Sequence, residues 1–201
     1  MTTDSAPSTT PRPAADPVKI PAVVRITKRV ESEPRLDRAA RLLSPAASAL
    51  LASDRRRDLL HGTWMGHALH PLLTDVAIGS WTSASVLDLI GGPSARGGAQ
   101  RLLELGLFAA VPTAVTGLAE WGETGDGERR VGVVHATANT VGLALYTSSW
   151  VARRRGRHGL GVVLALAGAS AATVGGYLGG HLTSARKVST RHPVFEAETL
   201  S

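Results

Sequence analysis

The chain has 201 residues, 43% of them hydrophobic, and carries 22 Lys plus Arg against 16 Asp plus Glu, for a net charge of +6. It contains no cysteine, which excludes disulfides, thiolate metal sites, a cysteine nucleophile and an iron–sulfur cluster held by this chain itself. The basic balance does not point to nucleic acid, because no basic face with base-reading or stacking groups accompanies it; the Arg residues gather instead at the ends of hydrophobic runs, where they meet lipid headgroups.

The hydrophobic residues are concentrated. Residues 131 to 152 and 158 to 180 contain no Asp, Glu, Lys or Arg, whereas the first 68 residues hold half of all Lys and Arg. A hydrocarbon core of roughly 30 Å needs about 20 helical residues. Runs of that length without a charged face are rare in soluble helices, so membrane lipid is the expected surrounding.

Residues 1–33 are rich in Pro, Thr, Ser and Ala and read as a disordered basic tail that buries too little surface to offset ordering. The first twenty lack the basic start and apolar stretch of a secretory signal, so the mature protein is expected to begin near Met1. Residues 34–68 read as amphipathic interfacial helices: Leu36, Ala39, Ala40, Leu42 and Leu43 interleave with Arg35, Arg38 and Arg41. Such segments lie on a membrane surface or bind a partner. Pro45 is expected to interrupt the first helix, and Ser53 to cap a second one ending at Gly62.

Residues 69–182 predict an all-α, integral membrane four-helix bundle with up-down-up-down topology, followed by a C-terminal tail, 183–201. The spans run from Leu69 to Ile90, with Pro71 in the first turn and Gly91 after the end; from Leu102 to Ala119, with Pro112 as a kink; from Val131 to Trp150; and from Gly159 to His181. Two stripes of small residues, Gly132, Ala136, Thr140, Ala144 and Ser148, then Gly168, Ala172, Gly176 and Gly180, predict packing faces that close the bundle itself or join it into a homo-oligomer. The basic loop 153–157 argues for the cytoplasm on one side and the basic N-terminal tail for the other; the tail favours both termini inside.

Antiparallel spans bring His67, His70, Glu120, His135 and His181 to one end. Asp75 lies about a turn beyond His70, and Asn139 one turn beyond His135. Ionisable and amide groups at membrane depth are costly unless they pair or serve a site. His67, His70, His135, His181, Asp75 and Asn139 are therefore candidate cofactor-binding residues, with His135 and His181 the candidate metal ligands. The bland reading has these histidines bonding headgroups or free carbonyls and Asn139 acting as interhelical glue. Asp88, Arg96, Arg101 and Glu104 at the opposite end read as ion pairs around a tight loop, and Glu123, Asp126 and Glu128 as a solvated loop. Arg129 and Arg130, just before the third span, read as a place for an anion to dock. No nucleophile elbow, phosphate loop or HExxH helix occurs; whether the chain is an enzyme is left open.

The strings HGTWMGHALHPLLTDVAIGSWTSASVLDLIGG, AVTGLAEWGETGDGERRVGVVHATAN and GGYLGGHL, in this order over residues 58 to 185, resemble the bacterial membrane protein family called domain of unknown function 2231. By that resemblance His67, His70, Pro71, Asp75, His135, Asn139 and His181 occupy recurring motif positions. Ala68 and Ala77 stand where the family pattern has proline, and Glu120 where it has aspartate. The resemblance implies a multi-pass protein of the bacterial plasma membrane. Some members resemble fusions to a Rieske iron–sulfur domain, which here would be a separate polypeptide. Two functions follow: a redox component holding haem b or a metal ion and passing electrons to a Rieske-type partner in trans, or a non-redox scaffold whose polar groups stabilise the bundle.

Overall fold

The computed structural model describes residues 19–190, 192 and 194. Among these the chain is all-helical, with seven α-helices: α1 (Ala22–Glu31), α2 (Asp37–Leu50), α3 (Asp54–His61), α4 (Leu69–Ile90), α5 (Arg96–Gly122), α6 (Asp126–Arg154) and α7 (His158–Gly180). Of the expected C-terminal tail, residues 191, 193 and 195–201 lie outside the described residues.

The expected boundaries hold best where local chemistry sets them. Ser53 Oγ accepts from the Arg56 backbone N–H at the start of α3, and Gly62 ends that helix in the left-handed region at φ 74°. A side chain at Gly62 would also collide with the His67 carbonyl. Pro71 occupies the first turn of α4, where no intrahelical donor is needed.

Two expectations for the N-terminal region fail. Residues 22–31, read as tail, form α1, because Thr27 is buried against the bundle and Glu31 is held there by ion pairs. Tertiary contact overrides the weak helical preference of AVVRITKRVE. Pro45 does not interrupt α2. Ala40 and Ala47, seven residues apart on one face, are buried on either side of it against the cluster of Trp121 and Val133, and this packing carries the helix through the missing hydrogen bond.

The four long helices run antiparallel in chain order. α4 packs closely on α5 and α6 on α7; the two hairpins then meet along α5–α6 and α4–α7. Within the hairpins large side chains enter spaces left by glycine. Trp81 of α4 fills the place of a side chain at Gly106 of α5, Tyr146 of α6 lies against Gly168 of α7, and Trp81 and Tyr146 stack at 4.2 Å in the bundle centre. Gly142 approaches the Gly168 carbonyl, so the α6 and α7 backbones are close there.

The small-residue stripes divide in this geometry, with Gly132, Gly168 and Ala172 packed inside the bundle. Ala136, Thr140, Ala144 and Ser148 point outward, as do Gly176 and Gly180. The faces that meet carry His135, Asn139, Gly142, Tyr146 and Ser149 on α6 and Gly161, Ala165, Gly168, Gly175 and Gly179 on α7.

The interior is built from small and aromatic residues, while Leu72, Phe108, Val111, Val141, Val163 and Val174 are exposed on the outside. By length and apolarity two segments can cross a membrane, Pro93–Gly122 and His158–Ala185. The other two long helices fall below that apolarity, so composition alone supports two of the four expected spans.

Candidate functional site

Of the expected cluster, the bundle brings together His70, His135 and Asn139. The His70 ring reaches from the first turn of α4 to α5, where Nδ1 lies 2.9 Å from the Thr113 carbonyl oxygen. Gly117 makes this approach possible, since a Cβ there would sit 2.7 Å from His70 Cε1. A carbonyl only accepts, so the His70 proton is on Nδ1 and the Nε2 lone pair is free.

His135 is more fully engaged. Its Nδ1–H donates to the Gly175 carbonyl across the α6–α7 interface at 2.8 Å, and the Asn139 Nδ2 amide donates to Nε2 at 3.0 Å. The one-turn spacing of positions 135 and 139 sets this pair up on a single helix face. The Asn139 amide fills the space a side chain at Gly175 would need, and a Cβ at Gly179 would lie 3.0 Å from His135 Cε1. The rings of His70 and His135 meet edge to face, centroids 6.4 Å apart and planes at 74°.

The remaining candidates go elsewhere. His67 is exposed, its Nδ1 3.1 Å from the Ala68 carbonyl, and Asp75 is exposed on the outer side of α4. His181 leaves the cluster for α1: its Nε2 lies 2.8 Å from Glu31 Oε1. Both oxygens of Glu31 are also taken by Arg186, at 2.6 Å from Nε and by Nη2. The Arg186 guanidinium holds the Glu31 carboxyl far below its ordinary 4.5, at about 2, against the opposing effect of burial and with help from His181. Glu120 accepts from the Thr190 backbone N–H at 3.1 Å and from its hydroxyl at 2.7 Å.

Haem or metal ligation by this set is tested by what its nitrogens already do. Both ring nitrogens of His135 are engaged, by Gly175 and Asn139, and His181 donates through Nε2 to Glu31 of α1, so the two expected ligands are not directed at a common site. Of the histidines gathered inside the bundle, His70 keeps an Nε2 lone pair with no partner among the described residues. Among the described residues no group of three or more His, Asp or Glu side chains is arranged to hold a metal ion.

Arg130 is occupied by the protein itself, whereas Arg129 keeps a buried Nε without a partner among the described residues. Arg130 grips Asp37 of α2 with Nε at 2.7 Å and Nη2 at 3.0 Å and reaches the Glu31 carbonyl with Nη1 at 2.9 Å. That guanidinium keeps the Asp37 carboxyl below its usual range. Arg129 donates to the Gly122 carbonyl and lies over the Trp121 ring. Glu123 pairs with Arg57 of α3 at 3.0 Å instead of facing solvent alone.

Sequence reasoning missed the partner of Asp88. The expected ion pairs around the α4–α5 loop are present only as Arg101 with Glu104 at 3.7 Å. Asp88 instead receives Arg153 of α6, read from sequence as one of several headgroup-contacting arginines, through Nη1 at 2.8 Å and Nη2 at 2.5 Å. Arg153 Nε also donates to Ser149 Oγ, which donates to the Gly161 carbonyl at 2.6 Å. The available signal was position: Arg153 lies four residues after Ser149, on the α6 face that carries Tyr146.

Comparison of the chain with curated proteins and with solved structures gives no match. The family described as "Predicted membrane protein (DUF2231)" matches residues 66–192, which is most of the chain and includes His67, His70, Asp75, His135, Asn139 and His181. The protein therefore belongs to this family of predicted membrane proteins, domain of unknown function 2231.

Proposed function

We propose that all four long helices cross the bacterial plasma membrane and that the protein is a membrane scaffold, its imidazole–amide cluster locking helices together and its basic N-terminal helices forming a rim at one end. The observation that carries this reading is the full engagement of His135: one ring nitrogen bonds α7, and the other bonds Asn139. Buried polar groups satisfied by one another fix helix register, and they do so without a cofactor. The outward display of Leu, Val and Phe around an interior of Gly, Ala and stacked aromatics supports the four-span arrangement. α4 and α6 would then carry His70, Asp88, His135, Asn139 and Arg153 inward, with Asp75 of α4 left on the outer surface. Antiparallel packing places both ends of the described chain on the rim that holds α1 to α3. The ten Lys and Arg of residues 19–62 favour that rim for the cytoplasm.

A redox reading keeps one observation in its favour. The Thr113 carbonyl fixes the His70 tautomer with Nε2 free, which is how outer partners commonly orient a metal-bound imidazole. In that reading haem b or a metal ion would bind at His70 and exchange electrons with a Rieske-type protein in trans.

The two are separated by purifying the protein from cells supplied with haem and metals, recording its absorption spectrum and metal content, and repeating with His70→Ala and His135→Ala. The scaffold reading expects a colourless, metal-free protein whose His135→Ala variant loses thermal stability. A haem spectrum or stoichiometric metal that disappears in His70→Ala would replace it with the redox reading.

A further inference from the structure

The apolar side of α1 extends further than the bundle covers it. At 100° per residue Val23, Val24, Thr27, Val30 and Glu31 share one side of this helix, while Arg25, Lys28 and Arg29 share the other. The C-terminal part of the apolar side is occupied: Thr27 is buried, and Val30 and Glu31 are half-buried. Among the described residues nothing covers its N-terminal part, with Val23 50% and Val24 40% exposed, and Ile26 at the edge 59% exposed. Residues 1–18 hold only Met1 and Val18 as larger apolar side chains, too little to cover that face.

Two observations identify what does. From Lys19 to Arg29 the chain carries four cations and no acidic residue. The nearest acid, Glu31, is gripped by Arg186 and bonded by His181; Lys28 lies 3.7 Å from it with its side chain 62% exposed. The surface complementary to this side is therefore anionic. The depth of α1 is set by Tyr177, whose hydroxyl is 3.5 Å from Thr27 Oγ1. Tyr177 is 45% exposed near the end of a helix apolar enough to span, where a tyrosine sits at headgroup level.

We infer that the N-terminal half of α1 is embedded in the membrane surface, its valines among the upper acyl chains and Lys19, Arg25, Lys28 and Arg29 on anionic lipid headgroups. This rests on the reading that the bundle spans the membrane. The Glu31 clasp fixes one end of α1 to the protein, so binding is an intramolecular docking of an already tethered helix, and lipid charge decides whether it docks.

The absence of cysteine permits single-cysteine reporters in the full chain. Val23→Cys, Ala52→Cys in the exposed α2–α3 turn and Phe108→Cys, 78% exposed on α5, are labelled with a water-soluble maleimide in nanodiscs of phosphatidylcholine alone or mixed equally with phosphatidylglycerol. The expected result is labelling of Val23→Cys at least about tenfold slower in the anionic discs, with Ala52→Cys unchanged and Phe108→Cys protected in both. Adding Lys28→Glu and Arg29→Glu should return Val23→Cys to its rate in phosphatidylcholine. Equal rates for Val23→Cys in the two discs, whether fast or slow, overturn the inference, the slow case indicating cover by protein rather than by lipid. Labelling of Phe108→Cys as fast as Ala52→Cys overturns the spanning reading itself.

Discussion

Arg153 of α6 and Asp88 of α4 face each other through two parallel hydrogen bonds with both side chains about 1% exposed, joining helices 65 residues apart in the chain. Such a pair gains little over an apolar contact while it is intact, but removing one partner strands a charge in a low-dielectric interior. Asp88→Leu and Arg153→Met should each lower stability by about 3–5 kcal/mol, and the double replacement Asp88→Leu with Arg153→Met by much less. Thermal unfolding of the four proteins in one detergent measures this; additive losses in the double variant would mean that the two residues act independently.

The close fit of α7 against α6 is specific to one glycine row. Gly175→Ala places a methyl group onto the Asn139 amide and should cost about 1–3 kcal/mol by overpacking. At Gly176 no atom lies within 4 Å of an added Cβ, so Gly176→Ala should leave stability unchanged or raise it by about 0.5–1 kcal/mol through reduced backbone entropy. Melting temperatures of the two variants test the direction; equal shifts would count against the observed helix rotation.

Acid should release α1. The Glu31 carboxyl is depressed in the folded protein to about 2 from an ordinary 4.5, so its contribution is fully present above about 4.5 and is lost as pH falls through about 2. Hydrogen exchange of residues 22–31, corrected for intrinsic rate, should accelerate across that window. Asp37, held by Arg130 at the same rim, acts in the same direction. Glu31→Gln therefore separates them, flattening only the part of the profile that belongs to the α1 clasp.

Pro45 carries a local cost that packing absorbs. Pro45→Ala restores the donor to the Arg41 carbonyl and should stabilise α2 by about 1–2 kcal/mol, less than the full penalty of an internal proline because the proline also restricts the unfolded chain. A drop in the melting temperature of Pro45→Ala would show instead that the ring itself makes a needed contact.

What could be read from residues alone was set by local chemistry. Pro71 and Gly91 bound α4, and Ser53 and Gly62 bound α3, because proline, serine and glycine act within one turn. The convergence of His70 with His135 followed from antiparallel counting. Glu31 and Arg153 were not legible, because each becomes important through a partner 155 or 65 residues away. The small-residue stripes were half on the packed faces, at Gly132, Gly168 and Ala172, and half on the outside. Close packing here joins a row of glycines on α7 to a row of larger side chains on α6, His135, Asn139 and Tyr146, and a search for small residues on both helices also gathers outer positions such as Ala136 and Gly176. α1 was missed for a related reason: composition reports what a segment can bury by itself, and this one is ordered by a carboxylate at its last residue.

The bundle is two blades rather than four rods. Each hairpin is closed internally by aromatic or amide groups seated over glycine, as Trp81 over Gly106 and Asn139 over Gly175; between the blades the Trp81–Tyr146 stack holds the centre and Trp121 lies over Gly132, with Asp88–Arg153 and Glu104–Trp150 beyond them at one end and His70 beside His135 toward the other. Van der Waals closure inside a blade depends on shape and gives way only if the backbones separate. A polar bridge can exchange its partner for water or a headgroup without disturbing either blade. Parting at the arginine end leaves the blades joined by the Trp81–Tyr146 stack, by Trp121 over Gly132 and by the α1–α3 rim, so any opening is directional: a wedge that widens toward the α4–α5 loop.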